Sequence, residues 1–373
     1  MFRKTLLTRL FNIQYPLIQA PMSPITTPEL VANVSNAGGM GTIAGARMTG
    51  EQLENEIKQV RSLTDRPFGV NLFIPPPESN LSSETIQTVR KRLKQLINEK
   101  KLTNCNIDID ALSVKPSKDL FPEQIEAILK AKIPTLSFTF GYLSDDVIEK
   151  CKRLNIRLIG TATTAREAVF LKGKGCDAVC LQGSEAGGHR GSFFTNDTET
   201  IEKSTIGLQS LLSQTTQFIN PTSYPLIAAG GIMDGNGLAS AILSGASAVQ
   251  MGTRFLTCHE SIKLVPAAHR KLLLEAKSNI NKLYPTVLTR AYTGKPARGI
   301  RTAITDHFSG SEMILPWQIQ SQLVLPVCKF AAETEQVDFM QLWAGQNYAR
   351  CDDQSAATIV HQVIAQARDL LKR

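Results

Sequence analysis

Residues 225–256 read PLIAAGGIMDGNGLASAILSGASAVQMGTRFL, and this stretch decides the fold class. Two apolar runs, PLIAAG (225–230) and AVQMGTRFL (248–256), flank a segment that begins with the turn residues DGNG and stops at Gly245. Unbroken apolar runs are typical of parallel strands covered by helices, and a glycine stop is typical of a helix end. The stretch therefore predicts a strand, a helix and a second, parallel strand.

The same alternation extends over most of the chain. Eight apolar runs are candidate strands: PLIQA (16–20), GTIAG (41–45), FGVNLF (68–73), TLSFTF (135–140), RLIGTA (157–162), AVCLQG (178–183), PLIAAG (225–230) and AVQMGTRFL (248–256). Helix starts stand between them, with Thr27 as N-cap before Pro28 and a capping box of Thr164 with Glu167. Eight strands with helical crossovers predict an α/β protein, a (β/α)8 TIM barrel. The alternative is a six-stranded open sheet in which two of the runs are not strands.

Two segments are longer than a barrel needs. Residues 74–134 form a long excursion after the third strand, and residues 257–335 follow the eighth strand with a helical pattern and a basic loop. We expect residues 1–256 and 336–373 to form the barrel, with 355–373 as its eighth helix. Residues 257–335 are expected to form a small inserted domain that covers the active-site face.

Composition restricts the class of protein. The chain has 373 residues, 42% hydrophobic and 20% charged, with a formal net charge of +8. The basic residues are spread out, and the densest run, residues 89–101, has the pattern of a solvated helix face, so we expect anionic small ligands rather than nucleic acid. Seven cysteines without a CxxC pair predict reduced thiols. The basic start could mimic a targeting peptide, but the apolar segment begins at Tyr15, and no run approaches the roughly 18 residues of a membrane span. We expect a soluble cytoplasmic protein without a membrane partner.

Glycines at the ends of the last two strands predict a phosphate site. AAGGI (228–232) and MGT (251–253) follow strands seven and eight, where barrels bind phosphate with exposed backbone N–H groups and a helix N-terminus. Gly230, Gly231 and Gly252 allow close approach, and Thr253 can add a hydroxyl. The alternative is two tight turns that need glycine for their geometry alone.

Asn71 and Gln182 each stand at a strand end and carry both a donor and an acceptor. Such amides match the alternating C=O and N–H groups of a flavin, although buried amides often only brace loops. Together with a phosphate site they predict FMN. No GxGxxG sequence follows the first strand, which argues against a Rossmann dinucleotide site.

His189 lies in QGSEAGGHRG (182–191), where its neighbours offer little to pack against. A metal site would need further ligands near Glu185, and a hydrolase built on Ser184 lacks the nucleophile-elbow pattern, so we expect no metal. What remains is a histidine beside a flat bound ligand, placed there by Gly187 and Gly188, where it stabilises negative charge or moves a proton. The alternative is an ordinary loop histidine.

The motifs together resemble the nitronate monooxygenase family, once called 2-nitropropane dioxygenase. The resemblance runs from about residue 15 to residue 346 and rests on QAPM, FGVNLF, SFTFG, EAGGHRG, AAGGI, QMGTRFL, KPARGIR and LWAGQ. It implies noncovalent FMN and oxidation of alkyl nitronates, such as propionate 3-nitronate, by O2 through one-electron transfer and a flavin semiquinone. The products would be an aldehyde or ketone with nitrite or nitrate.

The resemblance also implies roles for particular residues. His189 matches the family's catalytic histidine, and Met22 would lie near the flavin ring. The matching FMN contacts are Asn71, Gln182, Gly187, Gly230, Gly231, Gln250, Met251, Gly252 and Thr253. The chain departs from the family pattern at residues 23–25, which read SPI, and at Thr139, where some relatives carry a histidine.

A basic loop, AYTGKPARGIR (291–301), is the candidate substrate contact. The carboxylate of propionate 3-nitronate is expected to meet Tyr292, Lys295, Arg298 and Arg301. The alternative is that this loop only joins the small domain to the barrel. The rival function is an FMN-dependent enoyl-acyl-carrier-protein reductase that uses NAD(P)H, and a flavin-binding barrel without catalysis is a third reading. We expect a monomer or a homodimer whose small-molecule partners are a nitronate and O2.

Overall fold

A computed structural model of the chain describes residues 4–75, 82–115, 118–195, 205–310 and 314–372. Its described strands, numbered along the chain, are β1 (Leu17–Gln19), β2 (Thr42–Ala44), β3 (Gly69–Phe73), β4 (Thr135–Thr139), β5 (Arg157–Ala162), β6 (Ala178–Gln182), β7 (Gly188–His189), β8 (Leu226–Ala229), β9 (Ala248–Met251), β10 (Thr286–Thr289) and β11 (Ala297–Ile300). Eight of them form one parallel sheet in the order β1-β9-β8-β6-β5-β4-β3-β2. A parallel bridge between Ile18 and Met40 joins the two ends of this sheet. The predicted (β/α)8 barrel is therefore confirmed, and each of the eight predicted runs contains one of its strands.

The described helices are α1 (Leu6–Leu10), α2 (Pro28–Asn36), α3 (Gly50–Leu63), α4 (Ser83–Glu99), α5 (Phe121–Ala131), α6 (Asp145–Arg153), α7 (Ala165–Gly173), α8 (Leu208–Thr216), α9 (Gly235–Leu243), α10 (Ala267–Ser278), α11 (Ala303–His307), α12 (Ile319–Glu333) and α13 (Ala356–Leu370). The predicted caps are present, because the Thr27 hydroxyl accepts from the N–H of Leu30 and Thr164 forms a capping box with Glu167. The last predicted strand is shorter than its apolar run, since a 3-10 turn at Thr253–Phe255 follows β9.

Apolar side chains fill the barrel in two ways. Outward-facing residues of the strands pack against the surrounding helices in the largest core, for example Val249 and Met251 of β9. Inward-facing residues such as Ile159 and Ile227 form a separate core with Leu7 of α1. The first helix therefore closes the amino-terminal end of the barrel, and the open end is the one where the strands finish.

A second group of buried residues lies outside the barrel. It joins α4, α10 and α12 with Tyr292 and Tyr348, and continues to Cys351. α13 then packs against α9 and α2 of the barrel. The domain boundaries at 257 and 335 stay a prediction, since this second core also draws on α4 and extends beyond residue 335.

Two further findings bear on the class of protein. Each of the seven cysteines is a free thiol, and six of them are buried. Among the described residues, no helix is both long enough and apolar enough to cross a membrane.

Candidate active site

A cavity lies at the carboxyl ends of the strands. Strand register brings its walls together, because Ala229 is paired with Gln182 on one side and with Gln250 on the other. The predicted cofactor residues that line it are Gln182, Gly187, Gly230, Gly231, Gln250, Gly252 and Thr253. Seven of the ten residues in that prediction thus meet in one cavity, although they are up to 71 positions apart in the chain (182 to 253).

One end of this cavity is lined by backbone N–H groups. Gly230 and Gly231 both have positive φ, at 120° and 67°, a conformation that favours glycine. Within the described part of the chain, the N–H groups of Gly231, Gly252 and Thr253 have no hydrogen-bond partner. The Thr253 hydroxyl accepts from the N–H of Gly345 at 3.0 Å, so its own hydrogen is available to an acceptor. The arrangement is suited to an anion such as phosphate.

The N-terminus of α9, which the sequence suggested as part of the phosphate site, offers few free N–H groups to an anion. Asp234 caps α9 by accepting from the N–H of Gly237, and the N–H of Gly235 donates to the side chain of Gln366. The first turn of α9 is therefore occupied by groups of the protein itself, and an anion in the cavity would be held by the glycine N–H groups.

Gly187 and Gly345 allow two loops to touch. A Cβ atom at Gly187 would stand 2.5 Å from the nitrogen of Gly345, and one at Gly345 would stand 2.9 Å from the carbonyl oxygen of Glu185. Asn347 closes the same contact by donating to the carbonyl oxygen of Gly231. Gly345 and Asn347 line the cavity but were not predicted, although they belong to or directly follow the LWAGQ motif.

The three amide side chains differ in whether their hydrogen-bonding groups are already used within the protein. Gln182 donates to the carbonyl oxygen of His189 at 2.9 Å and accepts from the N–H of Gly191 at 2.8 Å, so it holds the histidine loop while lining the cavity. Asn71 is buried and donates to the Ser137 hydroxyl at 3.0 Å, outside the residues that line the cavity. Gln250 also lines the cavity, and its side chain has no hydrogen-bond partner among the described residues.

Of the two predicted methionines, Met22 lies near the cavity and Met251 lies on the outer face of its strand. The sulfur of Met22 is close to Gly252, 3.6 Å from where a Cβ there would stand, and so is near the cavity. Met251 is buried against the helices, because side chains alternate along a strand and Gln250 is the one that faces inward. The side chain of Met251 therefore faces away from the cavity, and its predicted FMN contact would have to come from its backbone.

His189 is held by a small sheet rather than by a free loop. Its strand β7 pairs antiparallel with β11, so that His189 faces Ala297, and the N–H of Arg190 donates to the carbonyl oxygen of Pro296. The imidazole Nε2 lies 2.9 Å from the Thr293 hydroxyl. Burial, followed by the positive charges of Arg47 and Lys295, lowers the pKa of His189 to about 3. The imidazole is therefore neutral at physiological pH.

Aromatic rings surround the imidazole. Phe140, Trp343 and Phe73 have ring centroids 5.9, 5.8 and 6.2 Å from it, and Trp317 packs on Phe140 at 4.9 Å. Phe140 has a positive φ of 76°, which is uncommon for a bulky residue. Strand-end position could have identified Phe73 and Phe140 from the sequence, whereas nothing local marks Trp317.

Some residues of the basic loop (291–301) reach the aromatic rings around His189, and others do not. The Lys295 ammonium lies 4.7 Å from the centroid of Phe140 and 5.9 Å from that of Trp317, so it faces the surroundings of His189. Arg298 is buried and donates to the Ser184 carbonyl oxygen, while Arg301 pairs with Asp306.

Tyr292 does not join the candidate site. It is fully buried, and its hydroxyl lies 2.6 Å from that of Thr302 and donates to the carbonyl oxygen of Met340. Its ring packs against Trp343 at 5.2 Å. The expected substrate contact is therefore corrected: Tyr292 supports Trp343, and its hydroxyl points into the second core.

A buried carboxylate ties down the chain beyond His189. One oxygen of Glu167 accepts from the N–H and hydroxyl of Thr163, and the other accepts from the N–H groups of Phe193 and Phe194. This residue was predicted only as part of a helix cap. Its structural partners show that it also fixes the segment that carries His189.

Glu185 has a structural role that explains its place in the motif. Its carboxylate accepts from the N–H of Leu208 at 2.9 Å, at the first residue of α8. In the described ranges, no three His, Cys, Asp or Glu side chains are grouped as metal ligands.

Known proteins resemble this chain over nearly its whole length. The sequence model of the nitronate monooxygenase family matches residues 4–366. The chain belongs to the nitronate monooxygenase family. A probable nitronate monooxygenase of Staphylococcus aureus strain MSSA476 is 39% identical over 373 residues, covering 100% of this chain and 99% of the relative. The corresponding protein of strain Newman is 38% identical with the same coverage.

Solved structures extend the comparison to three dimensions. Nitroalkane oxidase from Streptomyces ansochromogenes is 32% identical and superposes with a TM-score of 0.85, covering 98% of this chain and 99% of the other. FabK from Thermotoga maritima has a TM-score of 0.73 at 24% identity, covering 99% and 98%, and shows the fold alone. As a nitronate monooxygenase family member, the protein is an enzyme of the oxidoreductase class.

Proposed function

We propose that this nitronate monooxygenase family member uses FMN to oxidise alkyl nitronates of the propionate 3-nitronate type with O2. The products would be an aldehyde or ketone together with nitrite or nitrate. The observation that carries the proposal is a cavity lined with glycine N–H groups, one wall of which, Gln182, holds the segment that carries His189. A flavin, when bound there, supplies the electron acceptor between nitronate and oxygen.

The residues present fit a flavin phosphate. The unpartnered N–H groups of Gly231, Gly252 and Thr253 would donate to its oxygens, and the Thr253 hydroxyl would add a fourth donor. The positive φ angles of Gly230 and Gly231 shape the turn that lines the cavity, and Gly187 lets its loop pack against Gly345. Gln182 and Gln250 would hold the polar edge of the ring.

The protein would act on the substrate through His189, Lys295 and the aromatic rings that surround His189. Because Nε2 faces Thr293, Nδ1 is the imidazole nitrogen left for the nitro end of a substrate. The ammonium of Lys295 would attract a second negative charge at the other end, such as a carboxylate. Phe73, Phe140 and Trp317 would exclude water around the reacting atoms, where electrostatic interactions are strongest.

Oxygen uptake tests this function. Purified protein with its extracted cofactor identified as FMN should consume O2 and release nitrite when propionate 3-nitronate is added without any nicotinamide. Uptake that requires NAD(P)H would favour the reductase reading, and an FMN-loaded protein that oxidises no nitronate would refute the proposal. A cytoplasmic location and a monomeric or homodimeric state stay predictions.

A further inference from the structure

The loop that follows β2 is fixed in place by one buried amide. A 3-10 turn, Gly45–Arg47, begins directly after the strand. The side chain of Gln124, which is 2% exposed on α5, donates to the carbonyl oxygens of Gly45 and Met48 at 3.2 and 2.7 Å. The N–H of Met48 donates to the carbonyl oxygen of Gly45 as well. The backbone of Arg47 is therefore held within a rigid turn.

The guanidinium of Arg47 is left unused by the described part of the chain. Among the described residues it has neither a hydrogen-bond partner nor an ion-pair partner. Part of the side chain is open to solvent, yet the protein around it lowers the pKa of the guanidinium by burial. A charged group that water reaches but that protein partly desolvates lies in a recess, and its charge favours the entry of an anion.

Neighbouring strands place this recess beside His189. β2 pairs with β3, and β3 pairs with β4, so the residues that follow the three strands are neighbours. Phe73 ends β3 and Phe140 follows β4, and their ring centroids lie 6.2 and 5.9 Å from that of the imidazole. Arg47 follows β2, and after burial its positive charge is the next cause that lowers the pKa of His189, ahead of Lys295. The guanidinium therefore lies on the same side of the barrel as the imidazole.

Two sides of the barrel mouth then differ in their chemistry. The cavity is lined by residues at the ends of β1, β6, β8 and β9, and its glycine N–H groups suit the phosphate of a cofactor. The ends of β2, β3 and β4 carry a cation and two aromatic rings instead. Aromatic rings exclude water, and a guanidinium can bind a carboxylate through two parallel hydrogen bonds. This second side suits the end of a substrate that carries a carboxylate.

We propose that Arg47 is a specificity-determining residue that binds the carboxylate of a nitronate substrate while the nitronate group lies at His189. The inference rests on the proposed function and deepens it, because it assigns selectivity for a doubly charged substrate to a residue outside the basic loop. Together with Lys295, Arg47 brings two positive charges to one site, which matches the two negative charges of propionate 3-nitronate. A nitronate with an apolar chain leaves the guanidinium unpaired and should bind more weakly.

Oxygen uptake with a pair of nitronates tests this role. R47M removes the charge and keeps an unbranched stem, so KM for propionate 3-nitronate should rise about tenfold or more, as expected for a lost charge-assisted hydrogen bond. KM for butyl-1-nitronate, which has no carboxylate, should stay within about twofold of the wild-type value. R47K should recover part of the loss, because an ammonium keeps the charge but not the paired hydrogen bonds. An equal rise in KM for both nitronates would overturn the proposal.

Arg66 is the matched control position. It is exposed in the loop before β3, at the opposite end of the barrel, and its side chain has no partner among the described residues. R66M should leave both KM values unchanged. Denaturant unfolding adds a readout that a structural role would move in the other direction. R47M should be as stable as the wild type or more stable, because it removes an unpaired charge, whereas a less stable R47M would show that the guanidinium supports the fold and would overturn the assignment.

Calorimetry with succinate separates this inference from the proposed function. Succinate has a length and two negative charges similar to those of propionate 3-nitronate, but no nitronate group. It should bind the FMN-loaded wild type and R66M alike, and R47M about tenfold more weakly. Failure of the wild type to bind succinate, or an unchanged affinity in R47M, would overturn the role of Arg47 even if nitronates are oxidised. A wild type that binds succinate through Arg47 but oxidises no nitronate would refute the proposed function alone.

Discussion

At the scale of single residues, the charge of Lys295 should decide which nitronates are preferred. Replacing Lys295 with Met removes the ammonium but keeps an apolar stem against Phe140 and Trp317. KM for propionate 3-nitronate should rise about tenfold, since a charge-assisted hydrogen bond contributes roughly 1.5–3 kcal/mol. KM for ethyl nitronate, which has no carboxylate, should change little.

Arg301 provides the control for this prediction. It lies in the same loop, is exposed, and pairs with Asp306. R301M should leave both KM values unchanged, and an equal rise in KM for both nitronates in K295M would show that Lys295 only supports the loop.

His269 should make folding sensitive to acid. It is buried on α10, and burial lowers its pKa to about 4 from 6.5. Between those values the unfolded chain binds a proton that the folded chain does not, so stability is lost as the pH falls from about 6.5 to 4, by on the order of 3 kcal/mol. Chemical denaturation at several pH values should show a shallower decline for H269Q, and an unchanged decline would contradict this assignment.

Local sequence predicted the cavity lining where the ends of the strands mark it. Gly231 and Gly252 were found as turn glycines after strands, and Gln182 was found as an amide at a strand end. Tyr292 and Lys295 are three positions apart in one basic loop. The Tyr292 hydroxyl is nevertheless hydrogen-bonded in the second core, whereas the Lys295 ammonium faces the surroundings of His189. Side-chain direction in such a loop depends on distant packing, which the local pattern does not contain.

At the scale of elements, Glu167 joins α7 to the segment beyond β7. E167Q replaces one accepting oxygen with an NH2 group that faces N–H donors, and should lower the free energy of unfolding by about 2–4 kcal/mol. The same variant should bind FMN more weakly, because Phe193 and Phe194 follow the histidine segment.

Glu149 is the matched position for that comparison. It is exposed on α6 and pairs with Arg153, so E149Q should change stability by less than about 0.5 kcal/mol. Denaturant unfolding and flavin titration of both variants check the prediction, which fails if E167Q behaves like E149Q.

The barrel elements were predictable because each has its own local signal. Thr27 with Pro28 and Thr164 with Glu167 mark helix starts, and continuous apolar runs mark buried parallel strands. The two-residue strand β7 has no such signal, since it exists only by pairing with β11 more than a hundred positions later. The strand that fixes His189 therefore could not be predicted from the local sequence.

At the scale of the whole molecule, the barrel depends on the closure of its amino-terminal end. Leu7 of α1 is fully buried in the inner core with Ile18 and Ile227. L7A should lower the free energy of unfolding by about 2–5 kcal/mol, the cost of a large-to-small change in a packed core. L243A, at an 80% exposed leucine of α9, should cost less than about 0.5 kcal/mol.

Thermal or chemical unfolding of these two variants gives the comparison directly. Similar stabilities would mean that α1 is not an integral part of the barrel. The sequence predicted eight strands but not the role of α1. The start of the chain is basic, and its apolar residues Leu7, Phe11 and Ile13 are buried only because they enter the inner core of a closed barrel.

The second core shows why domain organisation is harder to predict than fold class. α4, α10 and α12 share buried contacts although α4 precedes the others by more than 160 positions. The sequence places α4 in the segment 74–134, and it places α10 and α12 in the expected inserted domain (257–335). Only the packing of the folded chain shows that the three helices share one core.

The central claim is that this site passes electrons from a nitronate to O2 through bound FMN. The most direct measurement is the visible absorbance of the FMN-loaded protein after anaerobic mixing with propionate 3-nitronate, without nicotinamide. The account predicts that the flavin absorbance falls at once and returns when oxygen is admitted, with nitrite formed. An absorbance that nitronate leaves unchanged but NAD(P)H bleaches would contradict it.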